Sequence, residues 1–392
     1  MIDRFDTSRH QQDSGEMPRE RFLSAVERRP TGGVSLDLGY GIASYTLGAH
    51  RALCDVLGIA NPSSIVSARM LNIVYPDARI QQCCCGDVRF LASGPLPSGS
   101  EDVDLDDRTY RDEWNLTRRL SAGGLYYDFV DAPLEGCRTL DECLKRLRRP
   151  QGATPRALGM REQAETYRSQ GYAVGAWCFA GIFEMVFWLR GYRQAYLDFG
   201  ARPKIAAGLM DALLEIQIDF WSAILKETDG LLDVALLTED LGIQTALMIS
   251  EQQFREIVKP RIGELIRHIK GMSPNTKLLL HSDGAVFPLI GDFIEMGVDI
   301  LNPVQPGATG MNPRLIKKEF GDDLSFHGAI DIQDLLRSET PQTVRASIHK
   351  VVELLGKNGG YVVAPAHCVQ PDVPPENILA LVDAVRELAE YP

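Results

Sequence analysis

The chain has 392 residues, 45% of them hydrophobic and 24% charged, with 41 Lys and Arg against 53 Asp and Glu and a formal net charge of −12. Its basic residues are dispersed, and a duplex-binding surface needs a positive patch to displace counterions, so nucleic acid is excluded as an expected partner. The composition is that of a folded globular chain without low-complexity tracts, and the length suits one large α/β core.

The N-terminal stretch MIDRFDTSRHQQDSGEMPRE is polar and lacks the apolar segment a secretory signal needs. A cytoplasmic location is therefore expected, with the eight cysteines as reduced thiols. MPRERFLSAVERR (17–29) reads as a helix lying below or over the fold, and GVSLDLGY (33–40) as the first strand. GYGIAS (39–44) imitates half of a dinucleotide loop, but Ser44 stands where the third glycine belongs, and an ordinary turn is the preferred reading. In Cys83-Cys84-Cys85, neighbours on an extended backbone face opposite ways and cannot close a tetrahedral site. Free thiols are expected there, with a redox or cluster role as the alternative. DVRFLAS (87–93) is a candidate second strand. The stretch from about 94 to 170 is rich in Gly, Asp and Arg and shows no apolar pattern able to bury its own core, so it reads as an insertion in one domain spanning 1–392. YAVGAWCFAGIFEMVFWL (172–189) resembles a membrane span, but it contains Glu184 and two glycines. A buried strand running into a buried helix is expected instead, giving the third strand at 171–181 and no membrane partner.

The second half repeats one pattern five times. Strand-like 230–240, 276–284, 298–306, 324–331 and 359–368 are each followed by a helical period, at 254–272, 286–297, 312–321, 340–356 and 377–391. Strand then helix argues for parallel βα units, and near-continuous apolar strands argue for sheets covered on both faces. Eight strands in all predict an α/β fold, a (β/α)8 TIM barrel with an insertion in its N-terminal half. In such a barrel the strand ends converge on the active-site rim. Here those ends carry Glu239–Asp240, His281–Asp283, Asn302–Gln305, His327–Asp331 and His367–Cys368.

The sharpest constellation is His281, Asp283 and His367, with Glu239 as a fourth member. Two residues apart on a strand, His281 and Asp283 face the same way. Imidazole and carboxylate ligands in this number suit zinc with a position left for substrate; satisfied polar strand ends are the alternative. Cys368 competes with His367 as a ligand.

These residues lie in runs that resemble the uroporphyrinogen decarboxylase superfamily. LLLHSDGAVFPLIGDFIEMGVDILNPVQPGATGMNPRLIKKEFGDDLSFHGAID and YVVAPAHCVQPDVPPENILALVDAV carry the resemblance, with TEDLGIQTALMISEQQFREIVKPRIGELI and the opening helix MPRERFLSAVERR beside them. It is specific over about 230–390 and implies a (β/α)8 barrel. Decarboxylases of the superfamily hold a tetrapyrrole's carboxylates with a first-strand signature of the kind M-R-Q-A-G-R. VSLDLGYGIA has no such arginines, and a polycarboxylate needs guanidinium clamps. The corrinoid-dependent methyltransferase branch is the nearer match. Its H-x-C element resembles His281-Ser-Asp283, and its A-P-x-C/H element resembles Ala364-Pro-Ala-His367. Asp283 in place of cysteine makes the set harder and suits an oxygen ligand. The resemblance implies a zinc-dependent O-demethylase type of methyltransferase, moving a methyl group from a small O-methyl substrate to the cobalamin of a partner corrinoid protein. Glu239 and Asp283 are then the catalytic carboxylates. Asp37, Tyr40, Trp177 and Phe183 are candidates for the substrate wall, and a homodimer is expected. A decarboxylase-like lyase and a non-catalytic binding barrel are the alternatives.

Overall fold

The computed structural model describes residues 16–63, 65–94, 96, 101–178 and 181–389. The N-terminal stretch 1–15, residues 179–180 of the expected third strand, 95 and 97–100 at the start of the expected insertion, and the end of the last expected helix lie outside the described residues. The described chain forms two compact units. The first holds the residues up to Phe90, Glu165–Gly175 and the stretch from Asp299 onward; the second holds Leu91–Ala164 and Ala176–Val298.

Seven parallel strands carry the fold: β1 (Val88–Phe90), β2 (Ala173–Trp177), β3 (Val234–Thr238), β4 (Lys277–His281), β5 (Ile300–Asn302), β6 (Ser325–Ile330) and β7 (Tyr361–Pro365). In the first unit, β5 pairs with β6 from Ile300 opposite Ser325, and β6 with β7 from Phe326 opposite Tyr361 to Ile330 opposite Pro365. β1 pairs with β2 from Val88 opposite Ala173. The expected first strand, 33–40, shrinks to one parallel bridge between Leu36 and Val363. It nonetheless fills a strand position. Val363 donates to the Ser35 carbonyl, Asp37 donates to the Val363 carbonyl, and Asp87 donates to the Leu36 carbonyl. The chain leaves the extended direction at Gly39, whose φ of +99° suits only glycine and whose missing Cβ would meet Cys85 Sγ at 2.3 Å.

The second unit contains β3 and β4, paired from Val234 opposite Lys277 to Thr238 opposite His281. With Ser35–Asp37 the parallel positions number eight, and the chain is an α/β protein of the (β/α)8 barrel class with an insertion in its N-terminal half. The residues of β3, β6 and β7 are all buried, as strands covered on both faces must be.

Helices follow the strands where the period placed them, and side chains cap the starts of those at Pro313 and Pro341. Asn312 accepts from the backbone of Arg314 and Leu315, and Thr340 from that of Thr343. The helix expected over 254–272 opens earlier, at Ser250, and contains a π-helical turn, Phe254–Val258. Pro260, just beyond it, cannot donate back along the helix, and a widened turn accommodates that loss. The run 172–189 folds as β2 followed by the buried helix Ile182–Arg190. Among the described residues no helix is long and apolar enough to cross a membrane.

One local expectation is corrected, the extended backbone at Cys83-Cys84-Cys85, and two other stretches gain detail. The 94–170 stretch contains a four-stranded antiparallel meander, Val103–Asp106, Thr109–Arg111, Thr117–Leu120 and Tyr127–Asp131. Its packing uses charged side chains, which an apolar pattern does not register: Arg118 pairs with Asp112 at 2.8 Å and lies 4.7 Å from the Trp188 ring centroid. Buried Arg190 pairs with Asp198 at 2.7 Å and donates to the carbonyls of Leu134 and Cys137, tying this segment to its helices. Cys83 and Cys84 end a helix, Ala78–Cys84, instead of lying on extended backbone, so their sulfurs come within 3.2 Å; both are buried free thiols. GYGIAS forms a 3-10 turn at Gly41–Ala43.

Candidate metal centre and substrate residues

The carboxyl ends of β3 and β4 build the candidate centre within the second unit. The Glu239 N–H donates to the His281 carbonyl at 2.8 Å, extending the ladder one residue. Beyond it the two chains interlock. Leu241 N–H donates to Ser282 Oγ at 3.0 Å, and Asp283 N–H donates to Asp240 Oδ1 at 3.2 Å. Gly284 makes this crossing possible, because a Cβ there would lie 2.6 Å from the Gly242 and Ile243 backbone.

The interlocked turns bring an imidazole and two carboxylates together. His281 Nε2 lies 3.7 Å from Asp240 Oδ1 and 3.9 Å from Asp283 Oδ2. These separations are too long for hydrogen bonds. They approach the ~3.4 Å edge of a tetrahedron with metal–ligand bonds of about 2.0–2.1 Å. The donor set is oxygen-rich with one imidazole and fits zinc or another borderline-hard divalent cation. The ring is buried while both carboxylates are half-exposed, which leaves the oxygens open on one side. One premise of the sequence reading changes. β4 ends at His281, so Asp283 is brought beside the ring by a turn and not by strand alternation. Asp240 was not among the expected ligands. Its signal was its place beside Glu239 at a strand end.

Glu239, the fourth expected member, is held by backbone donors. It is 2% exposed, and its two oxygens accept the backbone N–H groups of Ile182 at 2.7 Å and Phe183 at 2.8 Å, the first residues of the helix after β2. Gly181 permits the approach, since a Cβ there would lie 1.7 Å from the Thr238 carbonyl oxygen. Burial pushes the Glu239 carboxyl up to about 8, against the pull of those N–H donors. Glu184 lies behind it, accepting from Gly181 N–H and Thr238 Oγ1. Its carboxyl is held well above the ordinary range, first by burial and then by Asp240 and Glu239. Sequence reasoning treated Glu184 only as a charge interrupting an apolar run.

Of the expected substrate residues in this unit, Phe183 is buried among Phe187 and Phe199, at 4.9 and 5.5 Å between ring centroids. Trp177, at the end of β2, is half-buried. In the first unit, His367 follows β7, and its Nδ1 lies 3.0 Å from Cys368 Sγ, which also accepts from Gln370 Nε2 at 3.2 Å. Cys368 is thus engaged in orienting the neighbouring ring. Asp37 and Tyr40 are both buried. Tyr40 sits near Tyr75 and 5.3 Å from the Arg89 guanidinium, and burial raises its hydroxyl above the ordinary phenol value. Asp37 Oδ2 lies 3.0 Å from His327 Nε2, and His327 Nδ1 lies 2.7 Å from Asn302 Nδ2.

A family model, Uroporphyrinogen decarboxylase (URO-D), matches residues 174–388, more than half of the chain. Among curated proteins, the uroporphyrinogen decarboxylase of Pelodictyon phaeoclathratiforme is 26% identical over 145 residues, covering 36% of this chain and 39% of the relative. That of Aliivibrio salmonicida is 27% identical over 195 residues, covering 48% and 50%. The chain therefore spans about two fifths to one half of the length of these relatives. Among solved structures, a methyltransferase from Methanosarcina mazei superposes with a TM-score of 0.63 at 18% identity, covering 95% of this chain and 99% of that one, a likeness of fold.

Proposed function

The chain belongs to the uroporphyrinogen decarboxylase family, and from that premise we propose that it is a divalent-metal methyltransferase, taking a methyl group from a small O-methyl substrate and passing it to cob(I)alamin on a partner corrinoid protein. The observation that carries the reading is the spacing of His281 Nε2 from Asp240 Oδ1 and Asp283 Oδ2, 3.7 and 3.9 Å. His281, Asp283 and His367 are the proposed ligand set, two imidazoles and a carboxylate of the kind that holds a divalent metal. Asp240 stands beside His281 and Asp283. The fold-level likeness to a methyltransferase supports the same branch.

A zinc ion, if held there, would supply Lewis acidity toward an ether oxygen. The chain's own residues do the rest. Asp240 and Asp283 bring negative charge to the cation, and Cys368 orients His367 from behind. Glu239 anchors the helix after β2 against the strand end that carries Asp240. The homodimer is part of the same proposal.

The decarboxylase reading has the curated relatives' names behind it. Against it stand the acidic cluster of Glu184, Glu239, Asp240 and Asp283 and a first strand position, Ser35–Asp37, without arginine. A polycarboxylate needs cationic clamps.

The test is metal analysis of protein purified without chelator, alongside His281→Ala and His367→Ala. Loss of bound zinc and of methyl transfer to cob(I)alamin, in variants that keep the native circular dichroism, is the expected result. Full metal occupancy in both variants would overturn the proposal. Robust coproporphyrinogen formation from uroporphyrinogen would favour the lyase.

A further inference from the structure

The proposed centre makes no use of Cys83 and Cys84, which lie together in the first unit. Successive side chains of a helix project about 100° apart, so neighbours ordinarily diverge. Here the two sulfurs are only 3.2 Å from each other. The helix Ala78–Cys84 ends at the pair, and Cys85 is extended. Its last carbonyls are therefore left over by the helix ladder, and side chains take them. Arg386 Nη2 donates to the Cys83 carbonyl at 2.7 Å, and the Tyr45 hydroxyl to the Cys84 carbonyl at 3.3 Å. The two thiols are unequal. Cys83 is held below the ordinary thiol value, first by its hydrogen bond with Cys84 and also by the Arg386 guanidinium, against the effect of burial. Cys84 is held above it by the same hydrogen bond and by burial. A sulfur with thiolate character touching a second thiol is the starting arrangement of disulfide chemistry.

Geometry also sets what such a bond would do. Disulfides ordinarily join Cα atoms roughly 4.4–6.8 Å apart, whereas a peptide bond holds adjacent Cα atoms at about 3.8 Å. A bond between Cys83 and Cys84 is strained, so it is easily reduced and displaces the helix end as it forms. The residues that follow transmit the displacement. Cys85 Sγ fills the space beside Gly39, where a Cβ would lie 2.3 Å from it. Gly86 approaches the Leu36 carbonyl so closely that a Cβ would lie 1.7 Å from its oxygen, and Asp87 N–H donates to that same oxygen. The strand position Ser35–Asp37 thus rests on the segment that directly follows the two cysteines.

We propose that Cys83 and Cys84 are a reversible modification site, oxidised by hydrogen peroxide to a disulfide that loosens the strand position Ser35–Asp37. The Cys83 sulfur attacks one peroxide oxygen and the O–O bond breaks; the other oxygen leaves with a proton as water, and Cys83 becomes a sulfenic acid. The Cys84 sulfur then attacks the Cys83 sulfur, gives up its proton and expels the hydroxyl as a second water. Two thiols and one peroxide give one disulfide and two waters, with two electrons passing from sulfur to oxygen. The pair is 2% and 1% exposed, which restricts the reaction to an oxidant near the size of water. None of this rests on the methyl-transfer reading.

The experiment treats the full-length protein with hydrogen peroxide, alkylates the remaining thiols in denaturant and maps the peptides by mass spectrometry, before and after dithiothreitol. The expected product lacks two hydrogens in the peptide that carries 83–85, shows no fragmentation between 83 and 84, and recovers all eight alkylated cysteines after reduction. Cys83→Ala and Cys84→Ala should each abolish it, and Cys85→Ala should keep it. Fragmentation locates the bond in the wild type, so the test stands even where a variant does not fold. Amide hydrogen exchange over 33–40 should quicken on oxidation and slow again on reduction, because a loosened segment opens more often. Eight alkylatable cysteines after peroxide, a sulfinic acid in place of the disulfide, a bond to Cys85 or to another chain, or unchanged exchange over 33–40 overturns the proposal.

Discussion

Replacing Glu239 tests whether this carboxyl anchors a helix or ligates a metal. Its two oxygens accept from the N–H groups of Ile182 and Phe183, and the residue is 2% exposed, so water has little access to either donor. Glu239→Ala leaves two buried N–H groups unpaired, at about 1–3 kcal/mol each, and should destabilise the protein by about 2–6 kcal/mol. Glu239→Gln keeps one acceptor oxygen and turns an amide N–H toward the other donor, so about 1–3 kcal/mol is expected. The pH dependence has a definite sign. Burial raises the folded carboxyl to about 8, so between its ordinary value and 8 the folded state binds the extra proton. The stability it contributes is complete below the ordinary carboxyl range and is lost as pH rises through about 8; Glu239→Gln should flatten that fall. Urea denaturation at several pH values, with metal content measured on the same samples, supplies both readouts. An anchor should lower metal affinity only about 10–100-fold, as a residue acting behind the ligands does. If Glu239→Ala costs less than about 0.5 kcal/mol, below the least that one unpaired buried donor should cost, the anchoring argument is wrong. If it abolishes metal binding without loss of stability, Glu239 is a ligand.

Asp77 should show the opposite pH sign: its carboxyl, held low first by Arg79, caps the helix Ala78–Cys84, so its contribution is complete above the ordinary carboxyl range and is lost as pH falls below that range through the depressed folded value. Asp77→Ala should cost about 0.5–2 kcal/mol at neutral pH and remove the acid-side loss in a urea series. Gly328→Ala places a Cβ 3.2 Å from Pro303 at a φ of +104° and should cost about 1–3 kcal/mol by chemical denaturation. Asp198→Asn uncouples Arg190 from a pair with no exposed surface and should cost about 3–5 kcal/mol, visible as a lowered Tm.

Regular repetition made the second half of the fold legible. Each of the five βα units has an apolar run of strand length followed by a 3.6-residue period, and the strands appear within the expected spans. The first half was harder because its elements are held by other means. Ser35–Asp37 has only one bridged residue, and its strand position is recognisable from bonds to Val363 and Asp87 that no local pattern encodes. The antiparallel meander of 103–131 packs through Arg118, Asp112 and Trp188, so a search for apolar alternation passes over it.

The candidate centre was legible in residue type and not in cause. His281 and Asp283 lie close, but a turn locked by Asp240 and Gly284 does the work credited to strand alternation. The same geometry explains how Glu239, Asp240 and Asp283 beyond the strand ends can lie close to Glu184 in the helix after β2. Like charges in one place repel unless some are neutralised or a cation is present. Burial takes Glu239 and Glu184 toward the neutral form, and backbone donors hold both in place. Asp240 and Asp283 stay in contact with water on either side of a buried imidazole. Two open carboxylates beside one imidazole are donors of the kind a divalent cation takes, so under the proposed reading the division of the acids into buried and open pairs is what would leave them available to it.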